Sequence, residues 1–579
     1  MKKVSDTLKK EWIFYLIILF SAICFFAPHL GNGLLKGGEL DFHYARIMTL
    51  SDSIKSGVFP AKIRFTHMKD YGYGIGFFYP DLFIYIPALL ISLGAEFDVV
   101  IKIYLFAFIL IGGFVCYSCF KYLSGNKYIA LFGEILVMES YINDENLFDG
   151  GGFPHLFAYF FLIPAVCGLF MLLNDKKKGY LIYAVCMTSI LLSHDVIFLT
   201  YMLVMIMIVL AYANNIVKKP VIFGKFMLVN IICMILTTAY WLPAMEQLLN
   251  VRFKAFYNNA YTVSDHILTL DQLIFKEIGP AYMAIFLFTM IAFLFMALKY
   301  KKISKDSTSL FIVNILLMIL MCSRTIWASS IGEKLNFFEY TRRFDFIFTA
   351  TLAIFVVTVL RDALTTIKIS SIFNGKYAKT ALLVAMIVLT VVFRSARRPE
   401  FFVIGSGERM YLTESLLQER YVVSGAEWLP EETQPANCDS PTIAYADDHS
   451  SAEGFKHDNS KYYEAWIVMD KEYYDVPYVY YYGYKAYLVD ENMQPVEELK
   501  VAEASDNNGI VRVYMPKGRD GVAHLMVMYR KTPVQKISYL ITLMSALLIA
   551  LWGTAIAIKK LRKPRITDQD IQEHINPAA

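Results

Sequence analysis

Twelve apolar stretches constrain the fold of this 579-residue chain more than any other feature of its sequence. A helix needs about 20 mainly apolar residues to cross the hydrocarbon core of a bilayer. Stretches close to this length lie at 12–30, 99–120, 128–142, 154–173, 180–193, 196–213, 221–242, 281–298, 309–323, 341–360, 378–394 and 537–558. Charged residues make up only 18% of the chain, against about 25% in an average globular protein. We therefore predict a mainly helical, polytopic membrane protein with about 12 transmembrane helices.

A thirteenth apolar run, at 77–94, decides on which side of the membrane every later loop lies. If this run does not cross the membrane, the basic loops all lie on the same side as the N-terminus. Loops rich in Lys and Arg lie preferentially on the cytoplasmic side, so this arrangement is favoured. These loops are 121–127, 174–179, 214–220, 299–305, 361–379 and 559–565. Pro80 and Pro87 within the run also favour a bent element at the membrane surface or a re-entrant segment. We therefore predict a multi-pass cell-membrane protein whose N- and C-termini are both cytoplasmic.

The longest region predicted to lie outside, 395–536, has the pattern of a separate β domain. It is rich in Tyr and Val, and its alternating runs are split by Asn-Asn-Gly and Arg-Asp-Gly turns, which predicts a small β-sandwich. The predicted organisation is a transmembrane domain at 1–394 with a large first outer loop at 31–98, an extracytoplasmic β-rich domain at 395–536, a final transmembrane helix at 537–558 and a cytoplasmic tail at 559–579.

Charge and cysteine usage exclude several classes of function. The net charge of +4 is mild for this length and gives no basis for nucleic-acid binding. Seven of the eight cysteines fall inside apolar runs, and only Cys438 lies in a polar region. The sequence therefore predicts neither a disulfide framework nor a metal site built on cysteine spacing.

The segment "KGGELDFHYARIMTL", at 36–50, follows the first apolar stretch and is unusually rich in charge. Helical spacing places Glu39, His43 and Arg46 on one face, with Asp41 nearly opposite. A carboxylate there suits activation of an acceptor hydroxyl, with His43 and Arg46 near an anionic phosphate leaving group. An interfacial amphipathic helix whose charges face water has the same pattern. The sequence alone leaves both interpretations open.

Two further polar clusters fall on the same predicted outer side. "NDENLFDGGGFPH" contributes Asp144, Glu145 and Asp149, which either converge with the first outer loop over one cavity or are solvated loop charges. "LLSHDVIFL" contributes His194 at a turn between two short apolar stretches, where an ionisable residue is either a polar turn residue or lines a cavity.

Arg342 and Arg343 in "NFFEYTRRFDFIF" break the pattern of basic residues on the inside. Outward-facing arginines close to the bilayer suit recognition of a lipid phosphate or pyrophosphate. An Arg–Glu pair that stabilises the end of a helix is the structural alternative.

Taken together, several motifs resemble one family. They are "GELDFHYARI", "SGVFPAKI", "GYGIGFFYPDLFIYIPALL", "LLSH", "TAYWLPAMEQ", "FEYTRRF", "GAEWLP" and "VPYVYYYGYKAYLVD". Their order and spacing are similar to those of bacterial membrane proteins labelled "6-pyruvoyl-tetrahydropterin synthase-related". The resemblance covers most of the chain, and its motifs are most specific in the first third. Despite the label, the sequence has no His-rich metal triad of a soluble zinc-dependent pterin synthase.

This resemblance implies a GT-C-type glycosyltransferase, which takes a sugar from a polyprenyl-phosphate donor on the outer face. The implied acceptor is a cell-envelope polymer or glycolipid. The family carries an acid, usually Asp, four residues before the His, which is Glu39 here; Asp41 is the second candidate for the catalytic carboxylate. The implied substrate-binding residues are His43, Arg46, Asp144, Asp149, His155, His194, Arg342 and Arg343.

One departure from the family pattern bears on activity. Around 148–155 the family often shows an Arg and a Gly-Glu pair, whereas this chain has Asp149, Pro154 and His155. Donor or acceptor preference is therefore expected to differ, or activity to be lost. No cofactor is required by these motifs, although acids in two outer loops permit a divalent cation.

Two other functions are compatible with the sequence. Twelve spans and outward arginines suit a transporter or flippase for a lipid-linked sugar. Such proteins often contain internal repeats. The sequence shows no such repeat, because the long loop at 31–98 has no counterpart in the second half of the chain. A non-catalytic membrane protein that binds the envelope through its outer domain is the third possibility.

Overall fold

The computed structural model describes residues 2–31, 33–35, 38–257, 262–338, 340–367, 376–397, 411–412 and 426–561. Its α-helices, in chain order, are α1 (Lys2–Phe26), α2 (Leu40–Lys55), α3 (Ile75–Phe78), α4 (Tyr85–Ser92), α5 (Phe97–Ser124), α6 (Lys127–Met138), α7 (Tyr141–Asp144), α8 (Phe153–Leu173), α9 (Lys177–Leu191), α10 (Asp195–Ala211), α11 (Ala213–Lys218), α12 (Pro220–Leu236), α13 (Thr238–Asn250), α14 (Lys254–Tyr257), α15 (Leu270–Gln272), α16 (Pro280–Lys299), α17 (Lys305–Cys322), α18 (Arg324–Trp327), α19 (Ser330–Lys334), α20 (Asp345–Ile367), α21 (Lys376–Arg397) and α22 (Pro533–Leu561). The prediction of a mainly helical, polytopic membrane protein is confirmed.

Among the described residues, 8 helices are long and apolar enough to cross a membrane, or up to 9 if the bent pair α12 and α13 forms one span. That pair is bent by 67° where the two helices meet. The remaining predicted stretches are occupied by α6, α9 and α10, with 12, 15 and 17 residues. These helices are shorter than the roughly 20 residues that a perpendicular span requires. The count of twelve therefore stays a prediction.

Local sequence signals end and begin these helices. Gly125 ends α5 in the left-handed conformation, at φ 64°, which glycine adopts without a steric penalty. The side chain of Asn126 then accepts hydrogen bonds from the backbone N–H groups of Tyr128 and Ile129, at the start of α6. The loop "SGN" thus turns the chain tightly between two antiparallel helices.

Two helices, α8 and α20, form the centre of the helical domain. Both are apolar around their whole circumference and almost wholly buried by their neighbours, as expected for central helices of a bundle. Each begins with polar residues: His155 lies in the first turn of α8, and Asp345 is the first residue of α20. The two central helices therefore carry polar side chains at their starts, where the site described below lies.

The run 77–94 does not form one long helix. It contains the end of α3 and the helix α4, which has eight residues and is therefore about 12 Å long. A helix of this length does not cross a bilayer. α4 packs against α2 of the first outer loop and against α5.

The β-rich domain predicted near the C-terminus is confirmed. Its strands are β3 (Ile443–Ala446), β4 (Ser451–His457), β5 (Tyr462–Val468), β6 (Tyr473–Val479), β7 (Tyr484–Val489), β8 (Pro495–Ala504), β9 (Ile510–Tyr514) and β10 (Val522–Tyr529). A separate short pair joins β1 (Leu34–Leu35) to β2 (Tyr411–Leu412). The detailed prediction of a sandwich is wrong: the strands form a closed antiparallel barrel in the order β10-β5-β4-β3-β6-β9-β8-β7. Pairing of β10 with β7 closes the barrel, so it has no free sheet edge.

The barrel and the first outer loop share one hydrophobic core. Phe77 and Phe78 pack with barrel residues, and the ring of Phe78 stacks on Trp428 with centroids 4.2 Å apart. Gln247 of α13 both donates to the carbonyl of Tyr482 at 2.8 Å and accepts from its N–H at 3.0 Å. These contacts fasten the barrel to the helical domain on the side that holds the first outer loop.

Candidate functional site

A small pocket of about 50 Å³ lies at the start of α2, beside the segment 145–155 and the residues that precede α20. Four of the residues predicted from the sequence line it: Glu39, His155, Arg342 and Arg343. Its other charged lining residues are Glu145, Glu277 and Asp345. The fold thus brings together residues that are about 300 positions apart in the chain, at one polar site.

Glu39 immediately precedes α2, so its backbone is anchored while its side chain faces the pocket. Its N–H donates a hydrogen bond of 2.6 Å to the carbonyl of Gly150. Its carboxylate Oε2 lies 3.5 Å from Nε2 of His43, one turn further along α2. The side chain of Glu39 is 47% exposed, whereas that of His43 is buried. Glu39 therefore combines a fixed backbone with an accessible carboxylate.

His43 connects Glu39 to a buried arginine. Nδ1 of His43 is 3.1 Å from Nη1 of Arg46, and a guanidinium can only donate, so Nδ1 is the acceptor. The ring proton of a neutral imidazole then sits on Nε2, which faces the Glu39 carboxylate. Burial and the charge of Arg46 lower the pKa of His43, and the hydrogen bond to Glu39 only partly offsets them. His43 is thus a neutral donor to Glu39.

The surroundings of Glu39 keep its carboxylate ionised. Burial by itself would raise the pKa of Glu39, but the hydrogen bond from His43 and the interactions with His43, His155 and Arg343 together lower it to about 2. Glu39 is therefore a carboxylate throughout the physiological pH range, ready to accept a hydrogen bond from a hydroxyl group.

Arg46 was expected to contact substrate, but the structure places it behind His43. The residue is 1% exposed, and its Nη2 donates to Oδ1 of Asp81 at 3.1 Å and to the carbonyl of Pro80 at 3.3 Å. Arg64 binds the other oxygen of the same carboxylate. Arg46 does not line the pocket and instead orients the imidazole of His43.

Two other predicted residues, Asp41 and Asp144, do not line the pocket. Asp41 lies on the opposite face of α2 and is not among the lining residues. Asp144 is buried in an ion pair of 2.5 Å with Arg394, which also binds Glu139. Asp149 ends the irregular turn at Glu145–Asp149, and its side chain lies outside the described part of the structure.

His155 and His194 form a stacked pair beside the pocket. Their ring centroids are 4.1 Å apart with an interplanar angle of 23°. His194 precedes α10, and its Nδ1 accepts a hydrogen bond from the N–H of Ile197 at 3.4 Å. Because His155 lines the pocket and His194 does not, His194 supports the ring of His155 from behind.

Arg342 and Arg343 both lie close to the ring of Tyr340. The guanidinium carbon of Arg342 is 4.8 Å, and that of Arg343 4.7 Å, from the centre of the Tyr340 ring. Arg342 also donates to Oε1 of Glu145 at 3.3 Å. A cation beside an aromatic face is held in place while part of its donors stay accessible. The two arginines therefore present positive charge to the pocket.

The pocket has three further acids: Glu145 belongs to the acidic patch of "NDENLFDGGGFPH", Asp345 lies in the same motif as the two arginines, and Glu277 is absent from the sequence prediction. Asp345 is buried and accepts a hydrogen bond of 3.0 Å from Thr349. Burial raises the pKa of Glu277, partly offset by Arg342 and Lys276. Glu277 precedes the apolar helix α16 by three residues. Like Arg342, Glu277 is an ionisable residue directly before an apolar stretch, and this position was the signal in the sequence that could have identified it.

The glycine run 150–152 allows the loop to approach the site closely. The carbonyl of Gly150 accepts the N–H of Glu39, and Gly151 has a φ of 74°. A Cβ on Gly152 would lie 2.5 Å from Nδ1 of His155. The run therefore has a packing role beside Glu39 and His155.

No metal-binding cluster is found in the part of the chain that the structure describes, where no three His, Cys, Asp or Glu side chains are grouped closely enough to hold an ion.

No protein-family model and no curated protein matches the sequence. Among solved structures, the chain is similar to the oligosaccharyltransferase AglB from Archaeoglobus fulgidus, in complex with an inhibitory peptide and a dolichol-phosphate. The identity is 14% and the TM-score 0.40, over 69% of this chain and 57% of that one. It is also similar to the arabinosyltransferase EmbB from Mycobacterium smegmatis, with 8% identity and a TM-score of 0.35, over 90% of this chain and 63% of that one.

The chain thus spans less than two thirds of the length of either protein. Likenesses with such low TM-scores do not assign an activity. A function has to be argued from the residues of the pocket.

Proposed function

We propose that the protein is a membrane glycosyltransferase that moves a sugar from a polyprenyl-phosphate donor to a hydroxyl group of a cell-envelope polymer or glycolipid. The observation that supports this most directly is the pocket in which the ionised Glu39 meets Arg342 and Arg343. A base for a hydroxyl and a pair of cations for a phosphate are the two elements that such a transfer needs.

In the proposed reaction, the acceptor oxygen attacks the anomeric carbon of the sugar from the side opposite the phosphate. The new carbon–oxygen bond forms as the bond between the anomeric carbon and the phosphate oxygen breaks, and the lipid phosphate leaves with the bonding electrons. The hydroxyl proton passes to the carboxylate of Glu39. Because the attacking oxygen becomes strongly acidic as its new bond forms, a carboxylate with a pKa of about 2 can accept this proton.

Arg342 and Arg343 are assigned to the phosphate. Guanidinium groups bind phosphate oxygens through paired hydrogen bonds, and they offset the negative charge that grows on the leaving group. Arg343 also lies close enough to lower the pKa of Glu39, so the charges of base and phosphate site act within the same pocket. His155 lies between them as a further substrate contact.

Glu39 is preferred to Asp41 as the base because it alone lines the pocket. His43, hydrogen-bonded to Glu39 and held by Arg46, positions the carboxylate. At about 50 Å³ the pocket holds only a few water molecules. Binding of a sugar phosphate therefore requires the lining side chains to move apart.

The test uses the purified full-length protein in lipid nanodiscs with a set of polyprenyl-phosphate sugars, and measures both released lipid phosphate and glycosylated product. Glu39→Gln removes the base without changing the size of the side chain, and we expect the rate to fall by about 10²–10⁴. Asp41→Asn is the matched control on the opposite face of α2, and it should stay near the wild-type rate.

Other results would contradict the proposal. Loss of activity in Asp41→Asn with full activity in Glu39→Gln would assign the base to Asp41. Movement of the intact donor across the bilayer, without release of lipid phosphate, would favour a flippase.

A further inference from the structure

A second pocket, of about 230 Å³, is lined by three lysines at the junction of the first outer loop, the barrel and the final helix. Lys62 comes from the outer loop, Lys461 from the turn before β5, and Lys531 from the residues that lead into α22. This pocket shares no lining residue with the Glu39 pocket.

No Asp or Glu is among the described residues that line this basic pocket. Within the described residues none of the three lysines has an ion pair, although Lys531 donates to the carbonyl of Phe59. Asp81, which lines the adjoining groove together with Lys62, is already bound by Arg46 and Arg64. Burial, and then the charge of Lys461, lower the pKa of Lys531. Burial likewise lowers the pKa of Lys62 to about 8, against the opposing effect of Asp81.

An apolar groove of about 510 Å³ adjoins this basic pocket and shares Phe59, Pro60 and Lys62 with it. Its walls are mainly aliphatic and aromatic, with Leu82 and Leu89 on the side of α4. Further wall residues are Tyr85, Leu192, Leu236, Ala239 and Thr542, and Asp81 is the acid among them.

The groove lies beside α22, which contributes Thr542 to its wall. That helix exposes apolar side chains along most of its length, as a lipid-facing helix does. It meets the bend between α12 and α13, where Thr542 accepts a hydrogen bond of 2.9 Å from the N–H of Ala239. The groove therefore lies between a lipid-facing helix and the surface element α4.

We infer that the basic pocket and the groove together bind an anionic phospholipid of the surrounding bilayer, with its phosphate between Lys62, Lys461 and Lys531 and an acyl chain along the groove. The charge of the headgroup complements the three lysines, and the chain covers apolar walls that are continuous with the membrane. Lys62 lies at the boundary between the two parts of the site. The inference does not depend on the proposed transferase activity, because the two pockets are separate.

The experiment uses the full-length protein in phosphatidylcholine nanodiscs, with spin-labelled phosphatidylglycerol added as the probe. We expect the wild type to immobilise the probe, and Lys62→Gln/Lys531→Gln to weaken its binding by on the order of tenfold. Lys517→Gln, at an exposed lysine of the same outer domain, is the matched control and should bind like the wild type. Lys62→Arg keeps the charge and should retain the probe, which separates loss of the site from loss of the fold.

Equal binding by the wild type and the double variant would overturn the inference. So would displacement of the probe by polyprenyl phosphate at equimolar amounts, because the site would then belong to a lipid-linked phosphate. Both results concern binding of the spin-labelled lipid, so they can be judged whether or not Lys62→Gln/Lys531→Gln keeps transferase activity.

Discussion

At the scale of single residues, the properties of the side chain that lines the pocket depend on buried residues that contact it. Glu39 is the accessible group, but its ionisation depends on His43, and the orientation of His43 depends on Arg46. Arg46 in turn is held by Asp81. Only Glu39 of this series touches the pocket, so the others act through it.

Replacing His43 should move the titration of Glu39. In His43→Gln the carboxylate loses its interactions with the imidazole, which contribute most to the lowered pKa, and the pKa should rise from about 2 toward its ordinary value of 4.5. Because the base must be ionised, transfer by the variant should decline as pH falls through about 4.5, whereas wild-type activity should stay level there. The measurement is kcat/KM as a function of pH.

The same shift affects stability with a defined sign. The folded-state pKa of Glu39 is lower than the ordinary value, so its ionised form stabilises the fold above pH 4.5, and this contribution is lost as the pH falls through about 2. Superimposable pH profiles for wild type and His43→Gln would contradict the assigned role of His43.

Asp81 should matter more for stability than either arginine that it binds. Asp81→Asn leaves Arg46 and Arg64 buried without a counter-ion, whereas Arg46→Gln leaves Asp81 paired with Arg64. We expect Arg46→Gln to lower the free energy of unfolding by about 3 kcal/mol and Asp81→Asn to lower it further. Denaturation in detergent micelles measures both, with the exposed Glu96→Gln as control. A larger loss of stability in Arg46→Gln than in Asp81→Asn would contradict this ranking.

At the scale of the elements, buried charge joins helices that the sequence does not connect. Arg394 of α21 binds Glu139, which follows α6, and Asp144 of α7. Ser21 of α1 donates to the same Glu139 at 2.8 Å. The carboxylate of Asp144, expected at the substrate site, is therefore used to fasten α21 to the helical domain.

Arg394→Gln should loosen α21. The substitution leaves two buried carboxylates without their cation, which costs about 3–5 kcal/mol in comparable buried pairs. We expect a lower free energy of unfolding in detergent for Arg394→Gln, and little change for Ser395→Ala, at the neighbouring exposed position on the same helix. A stability equal to that of the wild type would mean that this ion pair contributes nothing net to the fold.

At the scale of the whole molecule, the barrel is packed into the first outer loop. Gly74 allows this contact, because a Cβ at this position would collide with the ring of Tyr481. Phe77 stacks on the same ring, with centroids 6.1 Å apart. The first outer loop and the barrel, about 400 residues apart in the chain, therefore share one core.

Gly74→Ala should weaken the attachment of the barrel. Inserting a methyl group into a packed contact costs about 1–3 kcal/mol, and limited proteolysis of the outer domain should become faster. Gly224→Ala is the matched control: a Cβ there meets nothing within 4 Å, and in a helix it should be neutral or slightly stabilising. Unchanged proteolysis of Gly74→Ala would show that Tyr481 can move aside without loss of the contact.

The orientation in the membrane is predicted by the distribution of Lys and Arg. In a cysteine-free background, Lys176→Cys should be labelled only from the cytoplasmic side and Glu453→Cys only from the outside. Both positions are exposed, so labelling depends on the side alone. Labelling of Lys176→Cys from the outside would reverse the predicted topology and place the Glu39 pocket in the cytoplasm.

The sequence by itself determined the class of the protein and where its helices lie. The length of the apolar stretches and the low fraction of charged residues determine that the chain is a membrane protein. Both are local properties that can be read along the sequence. The same local reading identified Glu39, Arg342 and Arg343, because burying an ionisable group next to an apolar span is costly. His155 was implied only by the family resemblance. It also predicted Asp41 to point away from Glu39, because helical periodicity fixes relative faces.

Only the tertiary structure decided which of these charges are available to a ligand. Arg46 and Asp144 carry the same charges as residues of the pocket, but each is neutralised by a partner far away in the chain, Asp81 and Arg394. Closure of the barrel likewise depends on the pairing of β10 with β7, which no local pattern specifies. Ion pairing and sheet closure are long-range contacts, whereas periodicity and composition report only on neighbours along the chain.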